Sequence, residues 1–308
     1  MKKNKHFWKV GLFLFLALAL IFYSGHNQFL DFAHLDHAAF EQKKTIGFKP
    51  QSLPKLHYRT YSNPELSAQA YLVIDLDSFT PILAYNAQKK MYPASTVKLA
   101  TALVALNNYK LDDILTVKQE VAEELKMNLV KGERISTLNL LYGILLYSAN
   151  DAALTLAQNH PQGEKIFIQE MNELAKKIGL TQTHFTNPIG FDHPQQHTTA
   201  TDLALLAREF IKNPILLNIT STKAITVADT SFTYFHPLYN INELLGEVPH
   251  LGGLKTGTTE KAGQNLISFY RWQNKPVLII VMKSEDRFSD TRQLIDLLNQ
   301  NLVYETIN

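Results

Sequence analysis

The order in which apolar periodicity changes along the chain is its tightest constraint. Period-two alternation, the mark of half-buried strands, occurs in "AQAYLVIDLD" and "TPILAYN" from Ala68, with a polar turn between them that predicts a hairpin. Helical period then takes over. It predicts helices over 95–107, over 136–148 with Ser136 as N-cap, from Asn150, over 163–178 closing at Gly179, and over 201–212 stopped before Pro214. Strand-like runs return after 220 in "KAITVAD", "SFTYFH", "LGGLKTGTT", "GQNLISFYRW" and "PVLIIVMKS", and "RFSDTRQLIDLLNQNL" closes as an amphipathic helix. Strands at both ends around a helical middle predict an α/β (α+β) fold: one antiparallel sheet flanked by helices, with a helical insert. A chain of 308 residues, 45 % of them hydrophobic, is large enough to bury such a core.

The first residues read differently. Lys2, Lys3, Lys5 and Lys9 precede the apolar run "VGLFLFLALALIFY" from Val10 to Tyr23. A basic start and an apolar core form an export signal. No small-x-small cleavage site follows, so residues 1–25 are expected to remain as a membrane anchor, with the rest outside the cytoplasm. Residues 26–66 show no sustained period and read as a linker or lead-in, leaving 67–304 as the working domain. The chain has no cysteine, which excludes disulfides, thiolate nucleophiles and cysteine zinc sites. A net charge of +2 without a dense basic block gives no argument for nucleic acid as a partner.

Three short motifs carry chemistry. In "PASTVKLATALVAL", Ser95 and Lys98 stand at i and i+3 and share a helix face. The free amides and positive dipole end of the helix start favour an oxyanion there. Lys98 can take the serine proton only if its pKa falls far below the usual ~10.4, through burial or a second cation. The plain alternative is a capping serine followed by an exposed lysine. In "YSANDAA", Ser148 can relay a proton and Asn150 can hold a substrate amide, or the two can simply make a turn and an N-cap. In "GGLKTGTTEKAG", an ideal pleat turns Lys255 and Gly257 to one side and Thr256 to the other. Gly257 marks a place where another backbone or a ligand comes close, although a surface turn has the same composition. No histidine spacing matches a metal motif such as H-E-x-x-H, and no cofactor is called for.

Taken in order, Ser-x-x-Lys, Ser-x-Asn and Lys-Thr-Gly form the set associated with penicillin-binding proteins and class A β-lactamases. The sequence resembles the low-molecular-mass penicillin-binding proteins, the serine D-alanyl-D-alanine carboxypeptidases, over roughly residues 65–300. "GERISTLNLLYGILLYSANDAA", "GLTQTHFTNPIGFD", "HTTATDLALLAREF" and "LGGLKTGTTEKAGQNL" carry the likeness beyond the triplets. The resemblance implies that Ser95 is the acylated nucleophile, Lys98 its base and Ser148 the proton relay. Asn150, Lys255, Thr256 and Gly257 would line the substrate cleft. The backbone amides of Ser95 and Thr258 would form an oxyanion hole, and Arg287 would hold a terminal carboxylate. It also implies that Lys255 discourages charge on Lys98 by repulsion. The implied partners are peptidoglycan stem peptides ending in D-Ala-D-Ala, β-lactams as covalent inhibitors, and the membrane through the N-terminal segment.

Two readings compete within this class. A DD-endopeptidase uses the same acyl-serine steps on cross-links. A class A β-lactamase needs a glutamate to activate the deacylating water, and "NPIGFDHPQQHTTATD" offers none in that role. Thr258, Thr259 and Gln264 stand where aromatic residues are common in the family.

Overall fold

The structure is a computed structural model that describes residues 52–56, 64–122 and 124–306, all within one unit spanning 49–308. The expected anchor at 1–25 lies outside the described residues, as does most of the expected lead-in. Within that lead-in, however, β1 (Ser52–Leu56) is a strand. The predicted hairpin follows as β2 (Ala70–Asp75) and β3 (Pro81–Tyr85). A 3-10 turn, Ala94–Val97, leads into α1 (Lys98–Asn108). Two short strands, β4 (Ile114–Thr116) and β5 (Arg134–Ser136), pair with each other and precede α2 (Thr137–Tyr142). Ser136 caps α2, its hydroxyl accepting the Asn139 amide at 3.2 Å. α2 does not run on to 148. Its ladder slips into a π-helical turn over Gly143–Tyr147, and α3 (Asn150–Gln158) restarts beyond Ser148.

α4 (Glu164–Lys177), α5 (Ala200–Phe210) and α6 (Pro214–Ser221) complete the helical layer. β6 (Ala224–Ala228) and β7 (Phe235–Tyr239) form a separate hairpin. β8 (Leu251–Thr259), β9 (Gly263–Trp272) and β10 (Lys275–Ser284) then run as a meander into α7 (Arg287–Asn301) and β11 (Leu302–Thr306). The main sheet has five antiparallel strands in the order β3-β2-β10-β9-β8. The mixed α/β class and the antiparallel sheet drawn from both ends of the chain are as the sequence predicts. β6 and β7 are not part of that sheet, and α6 was not expected.

Side-chain alternation divides the interior in two. Ala70, Leu72 and Ile74 of β2 meet Leu278, Ile280 and Met282 of β10 under the helices, with Val97, Leu99 and Ala102 from α1 and its leading turn. The intervening Tyr71 and Val73 join Val277, Ile279 and Val281 on the other face, covered by Phe288, Leu294 and Leu298 of α7. A period of two on a strand produces this split. β2 is buried throughout and β10 from Val277 to Met282, both inside the sheet, while β8 is an edge strand. Its register shifts between Gly253 and Lys255, and the turn bearing Ser95 packs against it.

Candidate active site

Ser95 sits on the 3-10 turn where the chain passes from the sheet edge into α1. Its partly accessible hydroxyl partners Lys98 and the Ile189 carbonyl. Lys98 is 0 % exposed. Its Nζ lies 2.9 Å from Ser95 Oγ, 2.8 Å from Asn150 Oδ1 and 2.7 Å from the Ile189 carbonyl. The two carbonyl oxygens only accept, so they take two N–H bonds. A neutral amine has two such protons and one lone pair, which leaves the lone pair directed at the serine hydroxyl. Burial holds the Lys98 amine down to about 7, against the opposing pull of the Asp151 carboxylate.

Ser148 and Lys255 form the opposing pair. The π-helical turn throws Ser148 into the left-handed region, at φ 63°, a conformation costly for a residue with a Cβ. There its Oγ accepts from Lys255 Nζ at 3.0 Å, and Lys255 also donates to the Thr256 carbonyl at 2.8 Å. Lys255 is held well below its ordinary value by burial, then by repulsion from Lys98 and Arg287. Burial is the leading cause at Lys98 as it is at Lys255, and the repulsion between the two amines disfavours both carrying charge at once.

Asn150 Oδ1 accepts from Lys98, and its Nδ2 donates to the Glu124 carbonyl at 2.8 Å, which leaves a second N–H and a second lone pair of the amide uncommitted by these two bonds. Asp151 accepts the amides of Met127, Leu129 and Ala152.

Gly257 brings β8 against the serine turn. A Cβ there would lie 2.9 Å from the Ser95 amide nitrogen and 3.0 Å from Ala94 Cβ. Thr258 is exposed beside it. Arg287, the first residue of α7, donates through Nη1 to the Gly257 carbonyl at 3.2 Å and to Thr258 Oγ1 at 2.5 Å. Thr256 Oγ1 and Arg287 Nε are buried without a partner among the described residues. Two unsatisfied polar groups flanking Gly257 are costly unless a ligand meets them.

The sequence did not point to the turn at 187–190. Asn187 Oδ1 accepts the amides of Gly190 and Phe191 at 2.7 and 3.1 Å. The carbonyls of Pro188 and Ile189 then reach Thr101 and Lys98, each at 2.7 Å. Gly190 (φ 96°) comes so close to the serine turn that a Cβ would stand 2.0 Å from the Ala94 carbonyl oxygen. Asp192 ties this turn to the β8–β9 connection, accepting from Thr259 Oγ1 at 2.7 Å and the Lys261 amide at 3.1 Å. The Asn-Pro-x-Gly turn signal was readable. That a main-chain carbonyl from it would meet Lys98 was not. Among the described residues no group of three or more His, Asp or Glu is placed to hold a metal ion.

The structure is similar to those of solved penicillin-binding proteins. Penicillin-binding protein D2 from Listeria monocytogenes, solved in an ampicillin-bound form, matches with a TM-score of 0.68 and 31 % identity, covering 77 % of this chain and 99 % of that one. The chain belongs to the D-alanyl-D-alanine carboxypeptidase family, peptidase S11, whose model matches residues 57–286. It is 33 % identical over 257 residues to the carboxypeptidase DacD of Salmonella typhimurium, covering 77 % of this chain and 64 % of that protein. It therefore spans less than two thirds of that relative's length. With the D-alanyl-D-alanine endopeptidase of Escherichia coli it is 30 % identical over 250 residues, covering 79 % of this chain and 80 % of that one.

Proposed function

We propose that this chain is an extracytoplasmic serine DD-peptidase that removes the terminal D-alanine of peptidoglycan stem peptides through an acyl-serine. The observation that carries the reading is the Lys98 amine, fully buried, with Ser95 Oγ at 2.9 Å and acceptor carbonyls at 2.8 and 2.7 Å that can hold the two protons of its neutral form. Ser95 Oγ attacks the carbonyl of the penultimate residue as Lys98 accepts its proton. The amides of Ser95 and Thr258 stabilise the oxyanion. The leaving amine takes a proton from Ser148, which recovers one from Lys255, and the proton that Lys98 took from Ser95 makes good that loss, so Lys98 is neutral again for the second step. Water then hydrolyses the ester.

The terminal carboxylate of the substrate supplies the partner that Thr256 Oγ1 and Arg287 Nε lack, and Arg287 brings the charge for it. The peptide itself runs along the free edge of β8, where unpaired backbone groups receive an extended strand. A β-lactam acylates Ser95 in the same way and stays bound. The carboxylate in the overlying turn, Asp192, is committed to Thr259 and Lys261, so that turn adds no second base to Lys98 for a deacylating water. The basic and apolar segment at 1–25 supports attachment to the membrane; among the described residues no helix is long and apolar enough to cross one.

The likeness to an endopeptidase raises a second reading, cleavage of cross-links by the same steps. Both are tested together. Fluorescent penicillin is expected to label the wild type and not Ser95→Ala. Incubation with muropeptides is expected to release free D-alanine; separated stems in its place would establish the endopeptidase. Equal labelling of the two proteins would refute Ser95 as nucleophile.

A further inference from the structure

One buried titratable pair has no part in that scheme. His236 on β7 and Glu133, just before β5, are each 4 % exposed. His236 Nε2 lies 2.7 Å from Glu133 Oε1, and Nδ1 lies 2.8 Å from the Met127 carbonyl. Carboxylate and carbonyl are both acceptors, so both ring nitrogens must carry protons and the ring is an imidazolium. Glu133 Oε2 accepts the Val130 amide at 3.0 Å. The pair thus fastens the middle of segment 124–133 to β7.

That segment has no helix or strand ladder of its own before β5, and Leu125 and Asn128 stand at φ 55° and 62°. It is nevertheless what seats Asn150. The Glu124 carbonyl accepts Asn150 Nδ2 at 2.8 Å and the Leu125 carbonyl accepts the Asn150 amide at 2.7 Å. Asp151, next in sequence, accepts the Met127 and Leu129 amides at 3.1 and 2.9 Å. Asn150 Oδ1 in turn holds Lys98.

We propose that the His236–Glu133 ion pair is a positioning clamp: it fixes segment 124–130, through it Asn150, and through Asn150 the orientation of the Lys98 lone pair toward Ser95. The inference rests on Lys98 acting as the base. Two anionic groups act on the ring, Glu133 at Nε2 and Asp151 beyond Met127. Burial works against the charged ring, but the hydrogen bond and charge of Glu133, the Met127 carbonyl and Asp151 outweigh it, and the pKa is raised above 6.5. A raised histidine stabilises the folded arrangement fully below its unfolded pKa and loses that contribution as pH climbs through the folded value. The clamp therefore holds while the ring is charged and loosens as pH rises.

Glu133→Gln separates charge from shape. Its carbonyl still accepts from Val130, its amide donates to Nε2 of a neutral ring, and Nδ1–H still reaches Met127. Hydrogen exchange over 124–130 in full-length protein is the direct measurement. In the wild type, protection factors are expected to fall as pH rises past the His236 titration. In Glu133→Gln they should stay level with pH. His236→Phe should lose the protection at every pH and slow the penicillin acylation step about 10–100-fold, as a displaced catalytic group does, with penicillin affinity before acylation unchanged. Wild-type protection and wild-type acylation in His236→Phe would overturn the clamp. So would a pH-dependent loss of protection in Glu133→Gln matching that of the wild type, which decides the matter if His236→Phe does not fold. Should wild-type protein fail to acylate at all, the functional reading falls while the exchange comparison still judges the clamp.

Discussion

At the scale of single residues, the chemistry depends on one amine losing its proton early. Lys98 is lowered to about 7, burial being the leading cause and Asp151 opposing it. In the proposed mechanism the neutral amine is the base, so acylation of Ser95 is expected to rise as pH increases through about 7 and to level off above it. Stopped-flow acylation by a chromogenic β-lactam across pH 5–9 reads this directly, and a rate independent of pH over that range would remove Lys98 from the role. Lys98→Arg keeps a cation in the same place, but a guanidinium does not deprotonate in proteins. The expected loss in acylation rate is about 10²–10⁴-fold, the usual contribution of a general base. Ser95 and Lys98 were legible because their relation is local: an i, i+3 pair is fixed by the helix itself. The groups that complete the amine's shell come from far along the chain. Asn150 can be picked from a motif, but its bond to Lys98, 52 residues away in sequence, cannot. Ile189 contributes only main chain, which no side-chain pattern reports.

Elements position these residues by close approach of backbone to backbone. The serine turn is held between β8 and the turn at 187–190, with Gly257 on one side and Gly190 on the other. Asn265 of β9 adds a tie, donating to the carbonyls of Tyr92 and Pro93 at 3.0 and 3.1 Å. Gly257→Ala inserts a methyl 2.9 Å from the Ser95 nitrogen, and the obstructing atoms are main chain and Ala94 Cβ, neither of which rotates away. The expected cost is about 1–3 kcal/mol of stability from overpacking and a larger relative loss of acylation, about 10²-fold, because the displaced turn carries the nucleophile. Thermal melts and penicillin labelling of the same protein measure both. Wild-type acylation with a methyl at 257 would contradict the tight fit.

The same scale explains what the sequence reading missed. Pro214 was taken as the end of a helix, yet Pro is also a favoured first residue of the next one. Asn213 caps α6 there by accepting the Ile215 and Leu216 amides at 3.0 and 3.2 Å. The runs at β6 and β7 were recognised as strands, but alternation identifies a strand and not its sheet. Main-chain pairing sets them apart as their own hairpin. The stretch 136–148 has uninterrupted helical period, and only the backbone reveals the π-turn that delivers Ser148 in its left-handed conformation.

Across the whole molecule, the sheet separates a functional face from a supporting one. Val97, next to the serine turn, belongs to the core under the helices, whereas Leu302 belongs to the core beneath α7. β11 pairs with β1 through all five of its residues. Tyr304 stacks on Trp272 with ring centroids 5.7 Å apart and donates to Asp75 Oδ1 at 2.7 Å. Removing the chain from Leu302 onward deletes one buried leucine, worth about 1.5–3 kcal/mol, and an aromatic stack worth about 0.5–1.5 kcal/mol. It also strips the cover from Leu56. The sum, about 2–4.5 kcal/mol, is a large share of a typical domain's ~5–15 kcal/mol, and corresponds to a melting temperature lower by about 10 °C. Acylation at low temperature should stay within about twofold of the full chain, because the deleted strand touches only the face remote from Ser95 and effects at separated sites are nearly additive. Calorimetry and penicillin labelling on one preparation test the two halves of this expectation. If acylation fell in step with the melting temperature, the two faces would be energetically coupled, and the sheet would be transmitting strain to the serine turn rather than isolating it.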